Sequence, residues 1–290
     1  MPARRFFGND SEQMADLVDV LKYAIVIPDK IYAFDQAVSN KDVNGYQIYP
    51  ADYRLLTYEE MLQLQNVSNY SWEASDKYGV FQIANEYGLK TPGMRLNAAG
   101  TAVGYRGVYG YYWTSTISDT VNKKGFIKGF GATLNGIFSN GYDTGGAILA
   151  IPKYKPTSLI PSGYHVPSQT EWQSLIDATN STWNATNTER IFTNKTGSAE
   201  VCRLNAQGYV NQRDEVALRG TYGYFWTSSI INQDQSYVLS FSSSTPNISN
   251  NFKILNFSVR LIPDNATDII DGMSRSIEFM QQYSFNEIIV

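Results

Sequence analysis

Arg106–Thr116 reads RGVYGYYWTST, and Arg219–Ser229 reads RGTYGYFWTSS. Eleven residues recur with three changes, two of them conservative: Tyr112 becomes Phe225 and Thr116 becomes Ser229. The string is either a binding site used twice or the framework of a domain that occurs twice. The flanking sequence decides for the second. RLLTYEEMLQL from Arg54 and HVPSQTEWQSL from His165 lie 111 residues apart. NYSWEAS from Asn69 and NSTWNAT from Asn180 keep that offset, aligning Trp72 with Trp183. RLNAAG from Arg95 and RLNAQG from Arg203 are 108 apart, the aromatic string 113, and ILAIP and VRLIP, ending at Pro152 and Pro263, again 111. Matching blocks separated by small length changes are a framework with variable connections.

The repeat gives four segments. Residues 1–45 form an N-terminal docking or oligomerisation segment, 46–155 the first domain, 158–264 the second, and 265–290 a C-terminal helical docking segment. PKYKPTSLIPSG, with three prolines, joins the two domains as an extended linker. In each copy a capping box opens a helix, Thr57 with Glu60 and Ser168 with Glu171. Met61, Leu62 and Leu64 follow in one copy, and Trp172, Leu175 and Ile176 in the other, on one helix face. YYWTST, GFIKGF and ILAIP read as short strands, as do YFWTSS, SYVLSF and NFSVRLI, and the Gly-, Asn- and Ser-rich stretches between them read as loops. The expected fold class is α+β, with the first and last strands of each repeat placed to pair and close the domain.

Composition narrows the function. Charged residues are 17% of the chain, so surface polarity rests on Asn, Ser, Thr, Tyr and Gly. A net charge of −4, with no Lys/Arg cluster, argues against nucleic acid as a partner. Cys202 is the one cysteine and His165 the one histidine, which excludes an intrachain disulfide and any multi-thiolate metal site. The N-terminus has a basic start but no apolar run and cleavage site, so no secretion signal is expected. YAIVIP at 23–28 is too short to span a bilayer, and no membrane insertion is expected.

GYHVPSQTEWQSLI, RGTYGYFWTSS and FSVRLIPD, in that order, resemble the Fibrobacter succinogenes major paralogous domain, a family with a C-type-lectin-like fold related to formylglycine-generating enzymes. The resemblance covers nearly all of 158–264. The first domain matches less well, and its AILAIP lacks the arginine that Arg260 supplies. The resemblance implies two tandem lectin-like domains, each with a short twisted antiparallel sheet, one or two helices and long loops that vary between members. Several members sit on bacterial surfaces, and related folds form receptor-binding tips of bacteriophages. The cysteine pair of the enzyme branch and the calcium-binding strings of sugar-binding lectins are absent, so neither activity carries over.

Shared aromatics in both copies point to core packing, with Gly107, Gly110, Gly220 and Gly223 serving turns or close strand approach. Tyr109, Tyr111, Tyr222 and Tyr224 are left open between core and surface. His165, which stands where the first copy has Arg54, reads as a polar anchor of the turn before the helix. The carboxylates of NQDQ, QRDE and GYDTGG stand singly, and no metal, cofactor or catalytic residue is expected. Ligand binding is sought where the copies disagree, in the polar loops 231–235 and 242–252. The candidate residues are Asn232, Gln233, Asp234, Tyr237, Asn247, Asn250 and Asn251.

At the ends, Met14, Leu17, Val18 and Leu21 line one stripe of a helix starting near Ser11. Ile269, Ile270, Met273, Ile277 and Met280 line another. Together these features predict a non-enzymatic bacteriophage virion protein, assembled in the host cytoplasm as a fibre, decoration or receptor-binding component. Its expected partners are other virion proteins, further copies of itself, and a host surface glycan or protein. The alternative is a bacterial surface or secreted binding module.

Overall fold

Thr57 and Ser168 open the two helices that the capping boxes predict. In the first, Tyr58–Val67, Thr57 Oγ1 accepts from Glu60 N–H at 3.2 Å, and Thr57 N–H donates to the Glu60 carboxylate at 2.7 Å. The second, Gln169–Ala178, repeats both bonds through Ser168 and Glu171 at 3.2 and 2.7 Å. Met61 and Leu64, and Trp172 and Leu175, are buried. The computed structural model describes residues 17, 20–21, 23–74, 78–82, 86–90, 94–95, 103–105, 107–153, 158–196, 199–213, 215–279 and 282–288. Contacts divide the chain into two units, Met1–Thr157 and Ser158–Val290.

Each aromatic string forms a strand whose middle is buried. Tyr112 and Trp113, and Phe225 and Trp226, are at most 1% exposed. The strand Tyr109–Asp119 pairs antiparallel with Lys124–Gly131, which pairs with Asn135–Gly141. Gly223–Ile230 pairs in the same way with Gln235–Phe241, and that strand with Asn247–Phe252. Gly107 and Gly220 have φ of +71° and +74°, a turn conformation that L side chains rarely adopt. Gly110 and Gly223 serve the other expected purpose. A Cβ there would lie 2.3 Å from the Phe130 ring and 2.0 Å from the Phe241 ring. The hydroxyls at the end of each string meet the helix start: Tyr58 N–H donates to Thr116 Oγ1, and Gln169 N–H to Ser229 Oγ, both at 2.9 Å. Thr116 and Ser229 interchange because only the hydroxyl is needed there.

The ends of each repeat pair as expected. Arg54 lies opposite Ile151, and His165 opposite Ile262, at the same offset. A strand from outside the repeat then joins the far side of each closing strand. Ile25–Tyr32 pairs with Gly146–Pro152, setting Val26 against Leu149. Ile277–Phe279 pairs with Arg260–Pro263, setting Glu278 against Arg260. Trp113 Nε1–H donates to the Tyr32 carbonyl at 2.9 Å, and Trp226 Nε1–H to the Tyr283 carbonyl at 2.8 Å. Among their described residues, the two segments read as docking elements therefore contribute strands to their own units.

Several expectations are corrected. The α+β class, with lectin-like domains of short sheets and long loops, does not hold: the structure is β-rich, 47% strand and 17% helix, with several sheets and few helices. Much of what reads as loop is strand. Asn135–Gly141 and Asn247–Phe252 are examples, and so is the meander Thr179–Asn184, Glu189–Asn194 and Glu200–Asn205. Asn and Ser are depleted in strands and hide the alternation, yet pairing to an apolar neighbour strand holds them there. The long C-terminal helix is only Ile269–Ser274, because Ile277–Phe279 is taken up by strand pairing. Leu17 and Leu21 are helical and buried, while Ser11, Met14, Val18 and Met280 lie outside the described residues. The core of the second unit gathers Trp172, Leu175, Phe192, Cys202, Leu239 and Met273 among others.

Candidate functional site

The candidate residues sit on the three-stranded sheet of Gly223–Ile230, Gln235–Phe241 and Asn247–Phe252, though not on one surface. Asn232, Gln233 and Asp234 are exposed in the turn before Gln235–Phe241. Asn232 Oδ1 accepts from Asp234 N–H at 2.9 Å and Gln235 N–H at 2.8 Å, so the turn is held by its own side chain. Lys253 N–H donates to the Asp234 carbonyl at 2.9 Å, tying the turn to the end of the outer strand. Tyr237 and Asn250 are cross-strand partners on the face that carries Leu239 and Ile248 toward the core. Asn251, opposite Ser236, and Asn247, opposite Ser240, lie on the other face. Asn247 Oδ1 accepts from Ser240 Oγ at 2.6 Å, five strand residues or about 17 Å from the turn end. The structure thus brings Asn232, Gln233, Asp234 and the Asn250–Asn251 end together and leaves Asn247 apart.

Four large apolar residues surround that turn; Ile231 and Phe252 lie within the loops 231–235 and 242–252 expected to bind, but none of the four is among the candidate residues. Ile230 is 56% exposed, Ile231 37%, Phe252 55% and Ile254 56%. Their only sequence signal is apolar residues set among asparagines, Phe252 at the end of the strand Asn247–Phe252 and Ile254 in the turn that follows it. The first unit has the same layout at the corresponding turn. Ile117, the repeat equivalent of Ile230, is 47% exposed, and Asp119 Oδ1 accepts from Val121 and Asn122 N–H at 2.9 Å. The backbone bond from Asn122 leads the contacts that hold the Asp119 carboxyl below its usual range.

The groups that most resemble catalytic ones are engaged structurally. His165 Nδ1 meets Asp264 Oδ1 at 2.7 Å, and Nε2 meets Glu171 Oε1 at 3.1 Å. Arg54 makes the corresponding contacts to Glu60 at 2.7 and 2.5 Å, so both copies place a basic side chain on the capping carboxylate. Partial burial opposes the charged imidazole, but hydrogen bonds and charge from Glu171 and Asp264 outweigh it and raise its pKa. Cys202 is fully buried in the core. Lys128, also fully buried, donates to Gln65 Oε1 at 2.5 Å and to Asn135 Oδ1, and burial pushes its amine down to about 8. By strand register Lys128 occupies the place of Leu239, and Gln65 that of Ile176. No group of three or more His, Cys, Asp or Glu side chains among the described residues is arranged to hold a metal.

Residues 177–262 match a family described as Domain of unknown function (DUF8237). The matched stretch starts in the last turn of Gln169–Ala178, includes the candidate sheet and ends in Arg260–Pro263. No curated protein and no solved structure matches the chain. Among the described residues, no helix is long and apolar enough to cross a membrane.

Proposed function

We propose that the chain is a non-enzymatic recognition protein of a bacteriophage particle, which meets a host-surface glycan or protein through the turn end of the second unit's candidate sheet. The observation that carries this is the exposure of Ile230, Ile231, Phe252 and Ile254 beside the amides of Asn232 and Gln233. Apolar side chains flanked by amides supply stacking area and adaptable hydrogen bonds together. The turn is set by Asn232 before any ligand arrives, which lowers the ordering cost of binding. The matching turn of the first unit, with exposed Ile117 and Val121, offers a second contact, and two weak contacts on one chain add avidity.

Fluorescently labelled full-length protein, titrated onto cells of candidate bacterial hosts, tests this. The Phe252→Ser/Ile254→Ser variant is expected to weaken cell binding about ten-fold or more at unchanged circular dichroism. Equal binding by the variant on a cell that the native chain labels would sink the proposal. Co-sedimentation with phage particles, rather than with bacterial envelope, separates the virion setting from a bacterial-surface one.

A further inference from the structure

The strand Asn247–Phe252 is the outer member of its three-stranded sheet, and among the described residues no strand lies on its far side. Backbone groups in an antiparallel strand alternate in direction. Lys253 N–H bonds to the Asp234 carbonyl, so the pair 253 and 234 is hydrogen-bonded. The register sets Asn251 against Ser236, Ser249 against Val238 and Asn247 against Ser240, without a bulge, which turns the backbone groups of these odd-numbered residues inward. Ile248 and Asn250 therefore aim their N–H and C=O groups outward, whereas the Phe252 carbonyl, next in the alternation, already accepts from Leu255 N–H at 3.2 Å. Phe252 N–H is capped as well, by Asn251 Oδ1 at 3.0 Å, so the open edge ends at Asn251. Ile248 and Asn250 supply the remaining outward donors.

We propose that this edge pairs antiparallel with the same strand of a second copy of the chain, about a two-fold axis through Ser249. Ile248 of each copy then lies opposite Asn250 of the other, and the two residues exchange backbone bonds twice across the axis. Asn247 faces Asn251 of the second copy, which ends the paired edge. A second copy is the favoured occupant because the strand NISNNF has no charge to repel its own image. Edges that avoid self-pairing carry lysine, an internal proline or a bulge, and this one has none. The outer strand of the first unit, Asn135–Gly141, is also uncharged, but Gly136 and Gly141 weaken it as a pairing edge. The surface lies beside the recognition turn, and the proposal stands without the one made for that turn.

Cysteine placement on the full chain tests the axis. In the proposed register Ser249 lies opposite itself in a non-hydrogen-bonded pair, with Cα atoms about 4.5 Å apart, which a disulfide can bridge. Ser249→Cys is expected to form a disulfide-linked dimer on mild oxidation, while Asn247→Cys and the native chain, whose Cys202 is buried, stay unlinked. Sedimentation of the native chain should show a concentration-dependent dimer that Ser249→Lys abolishes. A native chain that stays monomeric, a Ser249→Lys variant that still dimerises, or equal cross-linking at 247 and 249 would each overturn the proposal. Host-cell binding by Ser249→Lys keeps the recognition proposal separately testable.

Discussion

The indole N–H of Trp226 reaches the Tyr283 carbonyl at 2.8 Å, across 57 residues of chain. A side chain of the repeated framework thereby fastens a backbone segment that the repeat does not contain. Trp226→Phe keeps most of the ring but leaves a buried carbonyl without that donor. The expected loss is about 1–3 kcal/mol, from the lost hydrogen bond plus the lost volume. Chemical denaturation of the second unit, with faster proteolysis near residue 282, checks it.

His165 makes the second unit sensitive to pH. Its pKa is raised in the fold, so its contribution to stability is full below about 6.5, the unfolded value, and is lost as pH rises through the folded value. His165→Arg copies Arg54 of the first unit and keeps the cation on Glu171 throughout. Melting temperatures measured between about pH 5.5 and 8.5 should fall with pH more steeply for the native chain than for the variant. Parallel curves would assign the slope to other groups.

Lys128 works in the opposite direction. Its amine titrates near 8 in the fold and near 10.4 when unfolded, so the unfolded chain binds more protons between those values. Stability of the first unit should therefore rise from about pH 8 to 10, by on the order of 2 kcal/mol. Above about 10 the trend turns, because burial holds Tyr49 and Tyr70 protonated up to about 12. Lys128→Leu alone strands Gln65 and should cost about 1–3 kcal/mol. Adding Gln65→Ile, the pairing already present as Leu239 and Ile176, should restore stability and flatten the pH dependence. A double-mutant cycle reads the coupling directly.

Gly223→Ala drives a methyl group into the Phe241 ring, which is itself buried. A cost of about 1–3 kcal/mol or more is expected from overpacking. Phe241→Leu in the same chain should recover part of it, because the clash is with the ring alone. Gly45→Ala, where a Cβ meets nothing, is not a neutral control, since Gly45 has φ of +83°.

The duplicated framework was legible because its signals are local and occur twice. Thr57 with Glu60 and Ser168 with Glu171 fix the helix starts, and the aromatic strings mark the buried strands. The β-rich class was not legible, because Asn135–Gly141 and Asn247–Phe252 are strands by virtue of their neighbours rather than their own residues. The end of the C-terminal helix was hidden for the same reason. Ile277–Phe279 continues the helical spacing of Ile269 and Met273, and only the pairing of Glu278 with Arg260 claims it for a sheet. At the candidate site the polar turn was legible, whereas the exposure of Phe252 and Ile254 depends on where the sheet ends.

One difference between the two closing strands bears on how a duplicated chain avoids confusing its own halves. The first presents Leu149 to Val26, all apolar, while the second presents Arg260 to Glu278, both fully buried, with Arg260 also donating to Ser276 Oγ at 3.3 Å and to the Arg203 carbonyl. Seating the C-terminal strand beside Leu149 would bury Glu278 without its cation, and seating the N-terminal strand beside Arg260 would bury a guanidinium against valine. Either mistake costs several kcal/mol. A two-letter address, oil for one tail and salt for the other, sends each end of the chain to its own berth. Exchanging the letters, with Leu149→Arg and Val26→Glu, would erase that distinction, and misfolded chains with swapped tails should then appear on refolding.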